Sequence, residues 1–469
     1  MRHLAILGGG SAAFAAAIRA AELGARVTMV ERATIGGTCV NVGCVPSKTL
    51  IRAAQLAHDR EQHAFEGLSS ANGRIDLARL VAQKDELVGR LRREKYRDVI
   101  SAYPSIEYLA GEARFTGPGS LRIRKAAGET LDLEADRILI ATGARPWLPP
   151  IEGLDRVPRW TNAEALAADG VPSRLIVIGG SAVGAELAQL YARLGSRVTV
   201  LEALPTLVPV EDADLGRALE DYFSAEGIEV HTGAAARGVE PRGGGIRVVA
   251  EVDGREQAFE GERLLVATGR RANVEALDLP AAGVELDRRG FVAVDDHLRT
   301  SRPGIYACGD CTPLPQFVYV AARAGSIAAE NAVGEGEERL DLTAVPAVTF
   351  TDPQVASVGL TEEEARERGE IVIVRTLGME HVPRALANRD TRGLIKVVAR
   401  EADGRILGVH VLSPAAGEVI MTGVLAVKLG LGISDLAATL FPYLTEVEGL
   451  RLAAQTFHRR VEQLSCCAG

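Results

Sequence analysis

The 469-residue chain has little that would mark a binding or exported protein. Positive charge is in deficit: 53 lysines and arginines stand against 62 aspartates and glutamates, for a formal charge of −9. That balance argues against coating nucleic acid or docking on an anionic membrane surface. No apolar run reaches the roughly 18 residues needed to cross a bilayer. Met1-Arg2-His3 followed by Leu4-Ala5-Ile6-Leu7 resembles a signal peptide, but Gly8-Gly9-Gly10 breaks the run and an Ala-rich helix pattern follows, so export is not expected. Six cysteines are too few for a secreted disulfide scaffold. Hydrophobic residues at 47% and charged residues at 25% are those of an ordinary globular chain, long enough for two to four domains.

What is present is a pattern that occurs twice. His3–Leu7 reads as an apolar strand, Gly8-Gly9-Gly10-Ser11-Ala12-Ala13 as a tight turn, the stretch to about Leu23 as a helix ended by Gly24, and Arg26–Glu31 as a second strand closing on an acid. Arg174–Ile178, Gly179-Gly180-Ser181-Ala182-Val183-Gly184, a helix to about Leu194, Gly195 and Arg197–Glu202 repeat it. This is the βαβ dinucleotide fingerprint, in which glycines let the backbone approach a pyrophosphate at a positive helix N-terminus. Gly8, Gly10 and Ala13 fit the first copy; Gly179 and Gly184 fit the second, where Ser181 replaces the middle glycine and predicts a slightly looser approach. Glu31 and Glu202 are placed to accept hydrogen bonds from a ribose. A single copy would be weak evidence, since a glycine-rich strand-to-helix turn is also an ordinary structural device.

Ile138–Gly143 and Leu264–Gly269 each read as a buried strand ending in Ala-Thr-Gly, and Thr300–Asp310 as a turn, a strand and an acidic stop. From about Asp341, alternating strands such as Ile371–Val374 and Leu394–Val398 lead into helical stretches up to Phe457. The fold expected is α/β, with two Rossmann-like domains and a C-terminal α+β domain. The segments are 1–150, 151–270, 271–340 (completing the first domain) and 341–469.

The cysteines are clustered: Cys39-x4-Cys44, Cys308 with Cys311, and Cys466-Cys467. In a cytosolic chain such clustering suggests redox or metal chemistry. Pro46 suits the first turn of a helix through Ile51 and Leu56. Cys44 then stands at the N-terminus of that helix, where the dipole favours thiolate. Two buried small residues are the bland reading of such a pair, disfavoured here by the glycine and proline setting directly after a dinucleotide fingerprint. Cys308 reads as a small buried residue beside Asp310 rather than half of a metal site.

The doubled fingerprint, Gly36-Gly37-Thr38-Cys39-Val40-Asn41-Val42-Gly43-Cys44-Val45-Pro46-Ser47-Lys48, the two Ala-Thr-Gly segments and Gly309-Asp310 resemble the flavoprotein disulfide reductases over essentially the whole chain. The resemblance implies FAD on the first fingerprint, a reduced nicotinamide on the second, and a homodimer formed by the C-terminal domain. It implies that Gly8, Gly10, Ala13, Glu31, Thr38, Lys48, Ala113 and Asp310 line FAD, with Lys48 at the flavin's reactive edge and paired with Glu186. Val318, Gly179, Gly184, Glu186, Glu202 and Gly269 complete the cofactor-binding set. Cys44 would be the thiol stacked on the flavin and Cys39 the outer one.

Disulfide reductases carry a His-Pro-x-x-x-Glu segment whose histidine shuttles the exchange proton. The corresponding Phe441-Pro442-Tyr443-Leu444-Thr445-Glu446 keeps proline and glutamate but has phenylalanine at the histidine position, and His458 is the nearest histidine in sequence. Ser465-Cys466-Cys467-Ala468-Gly469 instead supplies two soft thiols, and a soft cation passes between thiolates by ligand exchange with no proton shuttle. With Pro315-Gln316-Phe317-Val318-Tyr319-Val320 and Val382-Pro383-Arg384-Ala385-Leu386-Ala387-Asn388, these features are similar to the mercuric reductases. That resemblance implies Hg(II) bound by Cys466 and Cys467 of one subunit, passed to Cys39 and Cys44 of the other between Tyr96 and Tyr443, and reduced by two electrons from NAD(P)H through FAD. Without the resemblance, each tyrosine reads as a packing residue.

Two departures shape further expectations. The first strand begins at His3, so the Cys-x-x-Cys module that many mercuric reductases carry ahead of it is expected to be absent, with Hg(II) delivered by small thiols or another protein. The segment Leu201-Glu202-Ala203-Leu204-Pro205-Thr206-Leu207 has no arginine to greet a 2′-phosphate, so NADH is expected to serve at least as well as NADPH. A metal-sequestering protein without turnover is the competitor from another class; two complete cofactor sites argue against it.

Overall fold

The computed structural model describes residues 1–70, 73, 75–125, 128–334 and 336–464. They form two compact units, each assembled from separate stretches of chain: one from Met1–Thr49, Arg79–Trp147 and Gly269–Asp341, the other from Leu50–Ala78, Leu148–Thr268 and the residues from Leu342 on.

In the first unit a seven-stranded sheet has the order Ile305–Ala307, Arg137–Ile140, His3–Leu7, Arg26–Glu31, Ile106–Gly117, Ser120–Lys125, Thr130–Glu134. The strands from Ile305 to Ile106 pair in parallel and the last two add antiparallel. His3–Leu7 is buried along its whole length, as a strand covered on both faces of a parallel sheet must be, and its run of apolar residues follows from that. The helices Ser11–Glu22 and Val318–Val333 pack together through Ala12, Ala13, Ala16, Ala17 and Ala20 against Ala321, Ala324, Ala328 and Ala329; alanine on both faces permits close backbone approach. Because the central strands run the same way, Glu31 ends its strand and Gly8, Ala141 and Cys308 follow theirs at one edge, where ligands bind in open α/β sheets.

The second unit repeats the arrangement with Glu229–His231, Arg197–Leu201, Arg174–Ile178 and Arg263–Val266 in a parallel sheet. The helix Ala182–Arg193 follows its central strand, and a three-stranded antiparallel sheet spans Ala235–Gly261. The C-terminal part is a five-stranded antiparallel sheet in the order Ala347–Thr349, Gln354–Gly359, Ile406–Ser413, Leu394–Arg400, Val372–Gly378. The helices Ala416–Leu429, Ile433–Ala438 and Glu448–Gln455 share its core with Ile395, Val397, Val409 and Val411. The architecture is α/β with two Rossmann-like sheets and a C-terminal α+β layer. Among the described residues, no helix is long and apolar enough to cross a membrane.

Candidate active site

The first glycine turn links His3–Leu7 to Ser11–Glu22, with Gly10 capping the helix and Ala13 fully buried beneath it. A second turn lies on it: Gly36 N–H donates to the Gly9 carbonyl at 2.7 Å. Gly37 has φ +63° and presses so close that an added Cβ would lie 2.6 Å from Gly10 Cα. Only two bare backbones can be stacked this way. The adjoining cleft is lined by Gly8, Glu31, Ala113, Thr142 and Asn273, among others. Glu31 accepts from Ala33 N–H at 2.7 Å. A bare turn at a helix N-terminus beside a carboxylate at the next strand end fits the pyrophosphate and ribose of FAD. Gly37→Ala is therefore expected to displace this turn, losing at least about 2 kcal/mol through the left-handed backbone and the clash. A lowered flavin-to-protein ratio and melting temperature are the measurements.

Asp310 lies in the short turn Gly309–Cys311. Burial raises its pKa, opposed by Arg270, whose Nε stands 3.7 Å from Asp310 Oδ2. Thr38 sits in a short helix, Gly37–Val42, and its hydroxyl receives an Arg270 N–H at 3.5 Å. Val318 begins its helix at the surface, and Lys48 is half-buried on the helix Cys44–Glu61.

The two thiols come from consecutive helices. Cys39 is inside Gly37–Val42; Cys44 is the first residue of Cys44–Glu61 and is exposed. The Gly43 carbonyl accepts from Ser47 N–H at 3.0 Å, the first turn of a helix that holds Pro46 in a position whose missing N–H costs nothing. The two side chains share a hydrogen bond. A hydrogen bond shared with Cys44, and then burial, raise the Cys39 pKa. Tyr96 lies in a π-helical turn, Arg93–Arg97, with its ring edge-on to Phe14 at 4.6 Å between centroids. Burial raises the pKa of its hydroxyl, as do the charges of Cys39 and Cys44, against a hydrogen bond with Ser11. The structure thus brings Cys39, Cys44 and Tyr96 together.

In the second unit, Gly184 is so close to the turn that an added Cβ would fall 1.8 Å from the Gly179 carbonyl oxygen. Glu202, only 6% exposed, is bound by backbone at both oxygens: Gly180 N–H donates to Oε2 at 2.6 Å and Leu204 N–H to Oε1 at 2.8 Å. Glu186 is buried on the helix Ala182–Arg193 and accepts from Phe350 N–H at 2.9 Å. Gly269 lies in the first unit, where its carbonyl accepts from Trp147 N–H.

Tyr443 is 56% exposed on the segment between Ile433–Ala438 and Glu448–Gln455. Cys466 and Cys467 lie outside the described residues. Cys308 and Cys311 are fully buried, but in two different core clusters. Burial raises both thiols, Cys311 to about 11. Among the described residues, no group of three or more His, Cys, Asp or Glu side chains could hold a metal ion.

Sequence reasoning passed over Arg270. It follows Ala267-Thr268-Gly269, donates to the Ala144 carbonyl at 2.5 Å and has its pKa lowered by burial, opposed by the charges of Asp310 and Cys44. The signal available was the arginine pair Arg270-Arg271 directly after a buried strand end.

Residues 2–325 match the family model for pyridine nucleotide-disulphide oxidoreductases, and residues 345–454 that of their dimerisation domain. The chain is 50% identical to a mercuric reductase of Acidithiobacillus ferrooxidans over 468 residues, covering 100% of this chain and 84% of that protein. It is 46% identical to one of Streptomyces lividans over 467 residues, covering 99% and 98%. Among solved structures, the HOCl-induced flavoprotein disulfide reductase RclA of Escherichia coli has a TM-score of 0.85 at 30% identity, covering 97% of this chain and 99% of that one. LpdA of Mycobacterium tuberculosis has a TM-score of 0.86 at 31% identity, covering 98% and 100%.

Proposed function

The chain belongs to the mercuric reductases of the pyridine nucleotide-disulphide oxidoreductase family, and from that premise we propose which residues carry its chemistry. The reaction is the NAD(P)H-dependent reduction of Hg(II) to Hg(0) by a homodimeric flavoprotein. Bound FAD supplies the passage of two electrons from the nicotinamide's hydride to sulfur-bound mercury.

Segments 1–150 and 271–340 hold FAD. Gly8, Gly10 and Ala13 form the pyrophosphate turn, Glu31 receives the ribose, and Thr38, Lys48, Ala113, Asp310 and Val318 line the remainder. Segment 151–270 holds the nicotinamide nucleotide through Gly179, Gly184, Glu186 and Glu202, with Gly269 at the adjoining strand end; segment 341–469 forms the dimer. Cys39 and Cys44 take Hg(II) as thiolates by ligand exchange, losing their protons as they bind. Tyr96 flanks the metal within the subunit, while Tyr443, Cys466 and Cys467 act across the dimer. Two electrons convert the ion to Hg(0), which has little affinity for thiolate, and both thiolates are freed. The observation that carries this reading is a hydrogen-bonded cysteine pair beside Tyr96 in a chain with Phe441 where the disulfide reductases have their histidine. That same phenylalanine disfavours a disulfide reductase. We place the enzyme in the cytoplasm, supplied with Hg(II) by small thiols or a mercury-transfer protein.

NADH serves at least as well as NADPH. A 2′-phosphate would meet the buried Glu202 side chain, an acceptor group with no N–H to offer a phosphate, and the arginine-free stretch Glu202–Leu207. A ribose hydroxyl needs only a further lone pair of that carboxylate. The test follows nucleotide oxidation with Hg(II) in excess small thiol, and separately with oxidised glutathione and with lipoamide. Turnover is expected with Hg(II) alone, with kcat/KM for NADH equal to or above that for NADPH. Strong NADPH preference overturns the nucleotide assignment; efficient disulfide turnover overturns the substrate.

A further inference from the structure

The segment that displays Tyr443 is held at both ends by side chains that a disulfide reductase would employ differently. On the N-terminal side, Phe441 packs against the core of the C-terminal sheet. Within the segment, Thr445 Oγ1 donates to the Pro442 carbonyl at 2.7 Å, and Leu444 adopts φ +59°, a left-handed backbone that this residue takes only when its surroundings impose it. On the C-terminal side is Glu446, buried, with one carboxylate oxygen doubly used. Oε2 accepts from Ser413 Oγ at 2.8 Å and from Ala415 N–H at 2.9 Å. Ser413 is fully buried at the end of the strand Ile406–Ser413, and Ala415 caps the helix Ala416–Leu429. The carboxylate therefore fastens the Tyr443 segment to the end of a buried core strand and the start of a core helix.

We infer that Glu446 is a positioning residue: it sets Tyr443 for the metal through this double anchor and takes no part in proton transfer. The inference rests on the reading of Tyr443 as a residue flanking Hg(II). Both donors meet the same oxygen, so the anchor needs an acceptor and not a charge. The amide of Glu446→Gln retains that acceptor, because a carbonyl oxygen has two lone pairs. Glu446→Leu removes it and leaves Ser413 Oγ and Ala415 N–H without it in a buried place. Phe441 excludes the other task for this glutamate, since there is no imidazole at that position for it to orient.

The test uses the full-length flavoprotein and the substitutions Glu446→Gln, Glu446→Leu, Tyr443→Phe and the pair Tyr443→Phe/Glu446→Leu. Steady-state turnover of Hg(II) in excess small thiol is measured alongside the single-turnover rate of flavin reduction by NADH. Glu446→Gln should keep kcat for Hg(II) within about twofold, and Glu446→Leu should lower it about tenfold or more, with flavin reduction unchanged in both. In the Tyr443→Phe background, Glu446→Leu should cost less than about threefold, because two residues acting through one contact are not additive. A glutamine variant as impaired as the leucine variant, or a leucine effect undiminished in the Tyr443→Phe background, overturns the positioning role. If the leucine variant does not fold, the glutamine result decides alone. A Tyr443→Phe enzyme indistinguishable from the parent overturns the reading of Tyr443 itself, an outcome separate from the other two.

Discussion

Cys44→Ala is expected to lower kcat/KM for Hg(II) by at least about a thousandfold while the protein still binds FAD, a loss of roughly 4 kcal/mol of transition-state stabilisation. The reason lies in the number of sulfurs. A soft ion in excess small thiol is already bound by two thiolates, so the enzyme must offer two of its own to displace both. Cys39 alone offers one, and it is a thiol whose proton is held firmly, first by the hydrogen bond with Cys44 and then by burial. Removing Cys44 takes away the more exposed sulfur, the one on the helix N-terminus. The cleft we assign to the cofactor, by contrast, is formed by the stacked turns at Gly10 and Gly37, with Glu31 and Ala113, none of which the substitution alters. Flavin content and the rate of flavin reduction by NADH should therefore match the parent, whereas nucleotide oxidation with Hg(II) should fall to background. Residual Hg(II) turnover above about a tenth of the parent would mean that one thiolate suffices, and the paired-sulfur reading would fail.

Much of this site is readable from residue order because its signals are short in range. The turn Gly8–Ala13, the acid at Glu31 and their repetition at Gly179–Gly184 and Glu202 each occupy one βαβ unit, and all adopt the expected elements. The helix start at Cys44 is likewise local, marked by Gly43 and Pro46. What escapes is set by distant neighbours. Nothing near Cys39 marks the six-residue helix Gly37–Val42, whose first residue lies against Gly10, distant in sequence. The π-helical turn that carries Tyr96 has ordinary helix-forming residues, Arg93-Glu94-Lys95-Tyr96-Arg97, and departs from α geometry in its tertiary setting. Phe441 is legible as a missing base, yet its role as a core residue appears only once the C-terminal sheet is folded over it. Glu446 has the same character: a sequence reader finds the remnant of an acid–base pair, and the fold makes it a bolt to Ser413 and Ala415.

The double substitution Cys466→Ala/Cys467→Ala should abolish most turnover when competing thiol is abundant and leave the flavin in place. Free thiol at millimolar concentration holds Hg(II) by mass action, and a protein that waits for the ion to reach Cys39 and Cys44 directly must exchange two ligands against that excess. A vicinal pair carried on the same dimer changes the arithmetic. Once it has captured the ion, the next exchange is intramolecular, at an effective concentration of roughly millimolar or more for a short linker. The benefit therefore depends on the competitor: at low external thiol the variant should lie within a few-fold of the parent, and at several millimolar it should fall at least about tenfold below it. Titrating small thiol against both proteins at fixed Hg(II), and comparing the two inhibition curves, reads this directly. Parallel curves would make the terminal cysteines bystanders and leave Cys39 and Cys44 as the whole of the metal's path; diverging curves would establish a relay of sulfurs in which the last residues of the chain do the capturing.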